Sequence, residues 1–164
     1  MIARASCLGS LETVGIVNDC PVSEEEWRKA AVMKNCSAYA SQCDKPDRFV
    51  YHCVINTFLN ETLEVCAYGK TIHLGHCTEY SQSGNRIQES FRTNCSRFTQ
   101  NPCPIGYHST EAYKYPGCYD LTKQKKTQAT TGTTQPSHKA STTVSNKNMS
   151  SHLERYIFTG LWYK

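Results

Sequence analysis

Aliphatic residues are scarce in this chain. Leu, Ile, Val and Phe together fill 28 of its 164 positions, and a share below ~20% leans toward disorder unless something besides apolar burial holds the chain. An ordinary large hydrophobic core is therefore not expected. No apolar run approaches the ~20 residues that cross a bilayer as a helix. C-x-x-C pairs are missing and His and Cys are not regularly paired, which removes the closely spaced ligand pairs of a structural zinc module. A Gly-x-Ser-x-Gly elbow is missing as well. Residues 16–121 carry 10 Lys and Arg against 12 Asp and Glu, while residues 122–164 carry 7 against 1. The net charge of +4 therefore belongs to the tail. Without a basic face on structured sequence, nucleic-acid binding is not expected.

What the chain has in quantity is cysteine and tyrosine, ten of each. Covalent staples and amphipathic rings can hold a fold whose buried apolar area is small. Cys20, Cys36, Cys43, Cys53, Cys66, Cys77, Cys95, Cys103 and Cys118 are expected in disulfides. Cys7 lies in an ambiguous stretch: without it nine cysteines remain, so one is free, bonded to another chain, or bonded to Cys7. Disulfides persist in oxidising compartments, which predicts an extracellular or cell-surface protein. Four Asn-x-Ser/Thr sequons, at Asn35, Asn60, Asn94 and Asn148, point the same way.

Composition divides the chain into three zones: an atypical leader (1–15), a cysteine-rich domain (16–121), and a Thr/Ser-rich stalk or linker with a short apolar C-terminus (122–164). The leader has one basic residue, Arg4, and no 7–15-residue apolar stretch, so it is a poor secretory signal. Either the natural start lies upstream or in another exon, or Ile2 to Val17 is a degenerate signal. In the tail, 12 of the 25 residues from Thr127 to Ser151 are Ser or Thr; the tract is expected to be disordered and either O-glycosylated or a plain linker.

Within the domain one helix is well signalled. Ser23 can cap it and Glu26, three residues on, can reach back to complete a capping box; Glu24, Glu25 and Glu26 also suit the helix dipole. Trp27, Ala30, Ala31 and Lys34 then share one helical face, read as a packing face. Phe49–Ile55 and Thr62–Tyr68 read as strands of a hairpin around the polar loop 56–61, which could bring Cys53 near Cys66. Thr71–Leu74 and Arg86–Gln88 are weaker strand signals, the latter after the turn-prone Ser83-Gly84-Asn85. The expected fold is a small disulfide-rich α+β domain: one N-terminal helix plus short antiparallel strands, followed by a disordered Thr/Ser-rich tail.

The strings Phe49-Val50-Tyr51-His52-Cys53, Asn60 to Ala67 and Ser109 to Asp120, with the Cys20-Pro21 opening and the Trp27 helix, resemble a cysteine-rich ectodomain of uncharacterised secreted or cell-surface proteins of bivalve molluscs. The likeness spans roughly residues 18–121. It implies an extracellular setting, in relatives often with a Thr/Ser stalk and a membrane helix; the 164 residues here show no apolar run of that length, so how the protein would be anchored stays open. It implies no enzymatic activity and transfers no binding residues.

Chemistry has few candidates. His73, His76, Cys77 and Glu79 lie close in sequence, but Gly75 disfavours the helix that would aim both histidines at one metal, so no metal site is expected. Asp44 and Asp47 flank Pro46 and read as a solvated turn rather than a calcium loop. A reduced catalytic cysteine conflicts with an oxidised framework. No catalytic residue and no cofactor are expected. The reading is a non-enzymatic extracellular recognition or adhesion module, a receptor-type ectodomain on a Thr/Ser stalk, binding an unknown extracellular protein or glycan. The alternative is a soluble secreted factor, a decoy isoform or an inhibitor. Tyr107, Tyr113, Tyr115 and Tyr119 are candidate contact rings, although at least half of them are expected to pack on a disulfide instead.

Asn60, in the hairpin loop, should carry the best-occupied glycan, because a sugar there points into solvent. In Asn35 and Asn94 the middle sequon residue is a cysteine whose early bonding competes with glycosylation. For chain secreted behind a functional signal peptide, the mass lost to an N-glycan amidase should fall most with Asn60→Gln; an unchanged mass shift would refute this.

Overall fold

Phe49 to Asn56 is dense in β-branched and aromatic residues, the types that fit a half-buried pleated surface. It forms the central strand of a five-stranded sheet. The computed structural model describes residues 6–131, with side chains as far as Gln124. In chain order the elements are α1 (Gly9–Thr13), β1 (Gly15–Val17), α2 (Glu24–Lys34), β2 (Phe49–Asn56), β3 (Thr62–Tyr68), β4 (Thr71–Ile72), β5 (Cys77–Ser81), β6 (Arg86–Ser90), β7 (Tyr107–His108) and α3 (Gly117–Thr131). Short 3-10 turns cover Cys36–Gln42, Pro46–Arg48, Cys95–Arg97 and Ser109–Lys114.

The β2–β3 hairpin forms where the sequence predicts it, in the register Tyr51↔Cys66 and Cys53↔Glu64. Asn56 builds the turn: its Oδ1 accepts the backbone N–H groups of Asn60 and Glu61, and its Nδ2 donates to the Asn60 side chain. Leu59 takes a left-handed φ of 56° there while staying buried. Strand order is β1-β3-β2-β5-β6, and β4 pairs with β7 in a second small sheet. Antiparallel pairing was expected throughout. One junction departs from it: β2 and β5 run parallel through Ile55↔Glu79 and Asn56↔Tyr80, because the chain crosses from β3 over β4 before entering the sheet again. The Ser83-Gly84-Asn85 signal does turn β5 into β6. Asn85 there donates to the carbonyl of Cys7.

Helix α2 is capped as its sequence demands. The Ser23 hydroxyl accepts from the N–H of Glu26, and the Glu26 carboxylate reaches one residue past the cap to the N–H of Val22. Trp27, Ala30, Ala31 and Lys34 do form the inward face, yet no residue of α2 is fully buried. Lys34 closes on Glu64 of β3 at 2.7 Å. Two disulfides, Cys20–Cys53 and Cys36–Cys66, bracket the helix and bind it to the hairpin.

All ten cysteines are bonded. Cys7–Cys43, Cys20–Cys53 and Cys36–Cys66 interleave over the first half of the domain, with loops of 36, 33 and 30 residues. Cys95–Cys103 nests inside Cys77–Cys118 in the second half. Cys53 and Cys66 therefore share a hairpin face as diagonal neighbours but bond elsewhere.

Two boundaries read from sequence shift. Cys7 is buried, α1 and β1 follow it, and β1 pairs with β3, so part of the stretch read as a leader belongs to the fold. Thr13 shows why: its Oγ1 accepts the N–H of Cys66 in the core. At the other end, the helical turn that docks Tyr119 continues to Thr131 as α3, with Thr122 buried. Among the described residues there are thus three α-helices rather than one. The Thr/Ser-rich tract from residue 132, with Asn148, lies outside the described residues. Among the described residues no helix is long and apolar enough to cross a membrane.

Loss of Cys7–Cys43, in a Cys7→Ala/Cys43→Ala variant, should cost roughly 2–4 kcal/mol in denaturant unfolding. A non-reducing peptide map should link Cys7 to Cys43; a free Cys7 thiol would contradict the pairing.

Candidate binding groove

Trp27 is the largest side chain on the inward face of α2, and the hairpin beneath cannot swallow it. The indole meets Tyr51 of β2 edge-on at 5.9 Å and Tyr113 in a tilted contact at 6.2 Å. It stays half-exposed between two adjoining hollows.

The first hollow, about 440 Å³, is mostly apolar and is lined by Ala31, Val32, Asn35, Cys36, Phe49 and Tyr51 beside Trp27. The second, about 380 Å³, is lined by Trp27, Asp47, Arg48, Val50, Gly69, His108 and Thr110. Both lie in the range of roughly 300–1,000 Å³ usual for small-ligand sites. Gly69 leaves space in the second: a Cβ there would stand 2.8 Å from the His108 ring, and the imidazole would have to move. The missing side chain lets the imidazole lie against the backbone. His108 Nδ1 hydrogen-bonds the Thr110 hydroxyl at 2.7 Å, and the Arg48 guanidinium donates to the Gly69 carbonyl at 2.7 Å. A flat aromatic wall thus faces a carboxylate, a guanidinium, an imidazole and a hydroxyl. Such a set can cover an apolar surface while exchanging hydrogen bonds with a polar rim.

Behind this wall sits a Ser–His pair. The His52 Nε2 lies 2.8 Å from the Ser109 Oγ, and its Nδ1 lies 3.0 Å from the Val50 carbonyl. A carbonyl only accepts, so Nδ1 carries the proton and Nε2 accepts from the serine hydroxyl. The same hydroxyl accepts the Lys70 N–H. Each side chain is 1% exposed, so no substrate reaches a geometry that on a surface would suit nucleophile activation. The pair instead ties β2 to the Ser109–Lys114 turn. Burial pushes the His52 pKa down to about 4.

The residues singled out from sequence scatter. Asn35, Asn60 and Asn94 are exposed. The hydroxyls of Ser37 and Ser96 donate to the Oδ1 atoms of Asn35 and Asn94, whereas Thr62, in the Asn60 sequon, donates to the Val17 carbonyl. His73 is exposed, while the His76 ring packs on Phe91 and binds the Thr93 carbonyl. Between them Leu74 and Gly75 both take positive φ. Glu79 accepts from Gln88, so this cluster does not converge. The sulfurs of Cys77, Cys95 and Cys118 lie within 4.8 Å of one another, but all are disulfide sulfurs and offer no thiolate. Asp44 and Asp47 are exposed.

Two of the four candidate contact tyrosines are interior. Tyr107 donates to the His76 carbonyl and accepts from Thr78, and Tyr119 donates to the Cys53 carbonyl at 3.1 Å. Burial pushes the Tyr107 phenol up to about 12 and raises that of Tyr119 as well. Tyr113 and Tyr115 stay half-exposed. Sequence reasoning missed Arg48, His108 and Thr110, which carry no motif, and treated Asp47 only as a turn residue.

Comparison with protein-family models, with curated proteins and with solved structures finds no match for this chain.

His52 generates a pH dependence of stability. Its imidazole takes a proton near pH 6.5 when unfolded but only near pH 4 when folded, so between these values the unfolded chain binds more protons. Stability should fall as pH drops from 6.5 to 4, by on the order of 3 kcal/mol in all. His52→Gln should flatten that window, measured as denaturant midpoint against pH. An equal slope in the variant would exclude His52 as the cause.

Proposed function

We propose that this protein is a non-enzymatic extracellular recognition or adhesion module that engages a protein or glycan through the groove around Trp27. The single observation behind this is a half-exposed indole on a disulfide-fixed helix, flanked by Asp47, Arg48, His108 and Thr110. A ligand meeting this surface finds groups already ordered, which lowers the entropic cost of binding. Five disulfides support an oxidising setting. The extracellular placement implied by the resemblance to bivalve ectodomains agrees with it.

The test is a screen of the secreted, fully oxidised chain against immobilised glycans and secreted proteins. Whatever binds should lose at least roughly 30-fold in affinity with Trp27→Ala, as for a central aromatic anchor. Arg48→Ala should weaken it too. Binding untouched by both variants, or none on either panel, would sink this reading.

A further inference from the structure

The apolar hollow differs from its polar neighbour in having a possible occupant attached to its rim. Asn35 ends α2 in the left-handed conformation, φ 49° and ψ 56°. Its side chain is exposed, lines the hollow beside Trp27, Val32 and Tyr51, and belongs to the sequon Asn35-Cys36-Ser37. Oδ1 accepts from the Ser37 hydroxyl at 2.8 Å, while Nδ2 has no partner among the described residues. Val32, one turn before it on the helix, is 79% exposed and adds apolar surface to the rim of the hollow.

We infer that an N-linked glycan on Asn35 folds back over the hollow between Trp27 and Val32 and serves as the domain's own covering ligand. The inference rests on the extracellular reading, since only a lumenal transferase can attach the sugar. In that step Nδ2 attacks C1 of a lipid-linked oligosaccharide pyrophosphate. The C1–N bond forms, the C1–O bond to pyrophosphate breaks, and the proton leaves Nδ2 to the transferase's base. On chains where the sugar is attached before Cys36 bonds, winning the competition within this sequon, folding then closes Cys36–Cys66 and sets α2 against the hairpin. This brings the first N-acetylhexosamine beside the hollow. Its C–H face and acetyl methyl match an apolar wall of indole and valine, and its hydroxyls remain toward water.

Geometry separates this site from the other sequon beside the hairpin. Asn60 sits in the β2–β3 turn, at the opposite end of the strands from Phe49, and its Oδ1 is held by Asn56. A glycan there extends into solvent and covers nothing in the groove. With the apolar hollow covered, the hollow of Asp47, Arg48, His108 and Thr110 is the side left to an outside partner.

The test uses the full chain, secreted from a eukaryotic host behind a cleavable signal, with Trp162→Phe so that Trp27 alone fluoresces. Glycopeptide mapping gives occupancy at each sequon, and bare and glycosylated Asn35 forms are separated. Ser37→Ala deletes the sequon and keeps the Asn35 cap; Ser37→Thr keeps both. The Asn35 glycoform should show slower acrylamide quenching of Trp27 than the bare form, and a Tm higher by about 4 °C. Ser37→Ala should reproduce the bare form, Ser37→Thr the glycosylated one, and Asn60→Gln should change neither signal. Occupied Asn35 with unchanged quenching and Tm would overturn the inference. So would an unoccupied Asn35 on a chain glycosylated at Asn60, and that result would leave the extracellular reading standing. A chain bare at every sequon, with reduced cysteines, would overturn both.

Discussion

The structure depends on two covalent bonds at the ends of one helix. An 11-residue helix is marginal in water on its own, and α2 offers its neighbours only Trp27, two alanines and the stem of Lys34. No side chain of it is fully buried. Hydrophobic contact alone is a weak tether for such an element. Cys20–Cys53 and Cys36–Cys66 supply what burial does not, because each removes loop-closure freedom from the unfolded chain. Trp27 lies between those bonds, so its position relative to β2 is set by them.

The same shortage of aliphatic side chains shapes the rest of the interior. Tyr80, Tyr107 and Tyr119 occupy volume that leucines fill in richer cores, and each brings a hydroxyl that needs a partner. Tyr80 donates to Asn85, Tyr107 to the His76 carbonyl and Tyr119 to the Cys53 carbonyl. These bonds reach from the sheet to turns and from α3 to β2, so the rings act as directional ties as well as filler. His52 and Ser109 follow the same logic, at the cost of an imidazole that must remain neutral.

Much of this was legible from neighbouring residues. Ser23 and Glu26 predicted the cap of α2, the β-branched and aromatic runs predicted β2 and β3, and Ser83-Gly84-Asn85 predicted a turn. Each signal acts over a few residues and survives in almost any tertiary setting. Less legible were α1, α3 and β5. The first fifteen residues carry no clear local pattern of any kind, which hid the place of Cys7 and Thr13 in the fold, since their worth comes from Cys43 and Cys66 far along the chain. The parallel step from β2 to β5 was hidden as well, since a pair of ladder contacts leaves no periodicity to read. That about half of the four candidate tyrosines would turn inward was expected, but which two, Tyr107 and Tyr119, was not legible, because a ring with a polar tip fits an interior or a surface equally well.

By itself the sequence determined the class of the protein. Ten cysteines over a thin aliphatic content demand a stapled α+β fold, and the local rules of capping and strand propensity place its main helix and hairpin. The tertiary structure alone decided which cysteines bond and which groups share a site. Asp47 and Arg48 meet His108 across some 60 residues of chain because Gly69 leaves room for an imidazole against its backbone. Nothing near any of these residues announces the meeting. Local preferences are set by a residue's immediate neighbours, whereas a groove is made where distant segments pack, and that is settled only when the whole chain has closed.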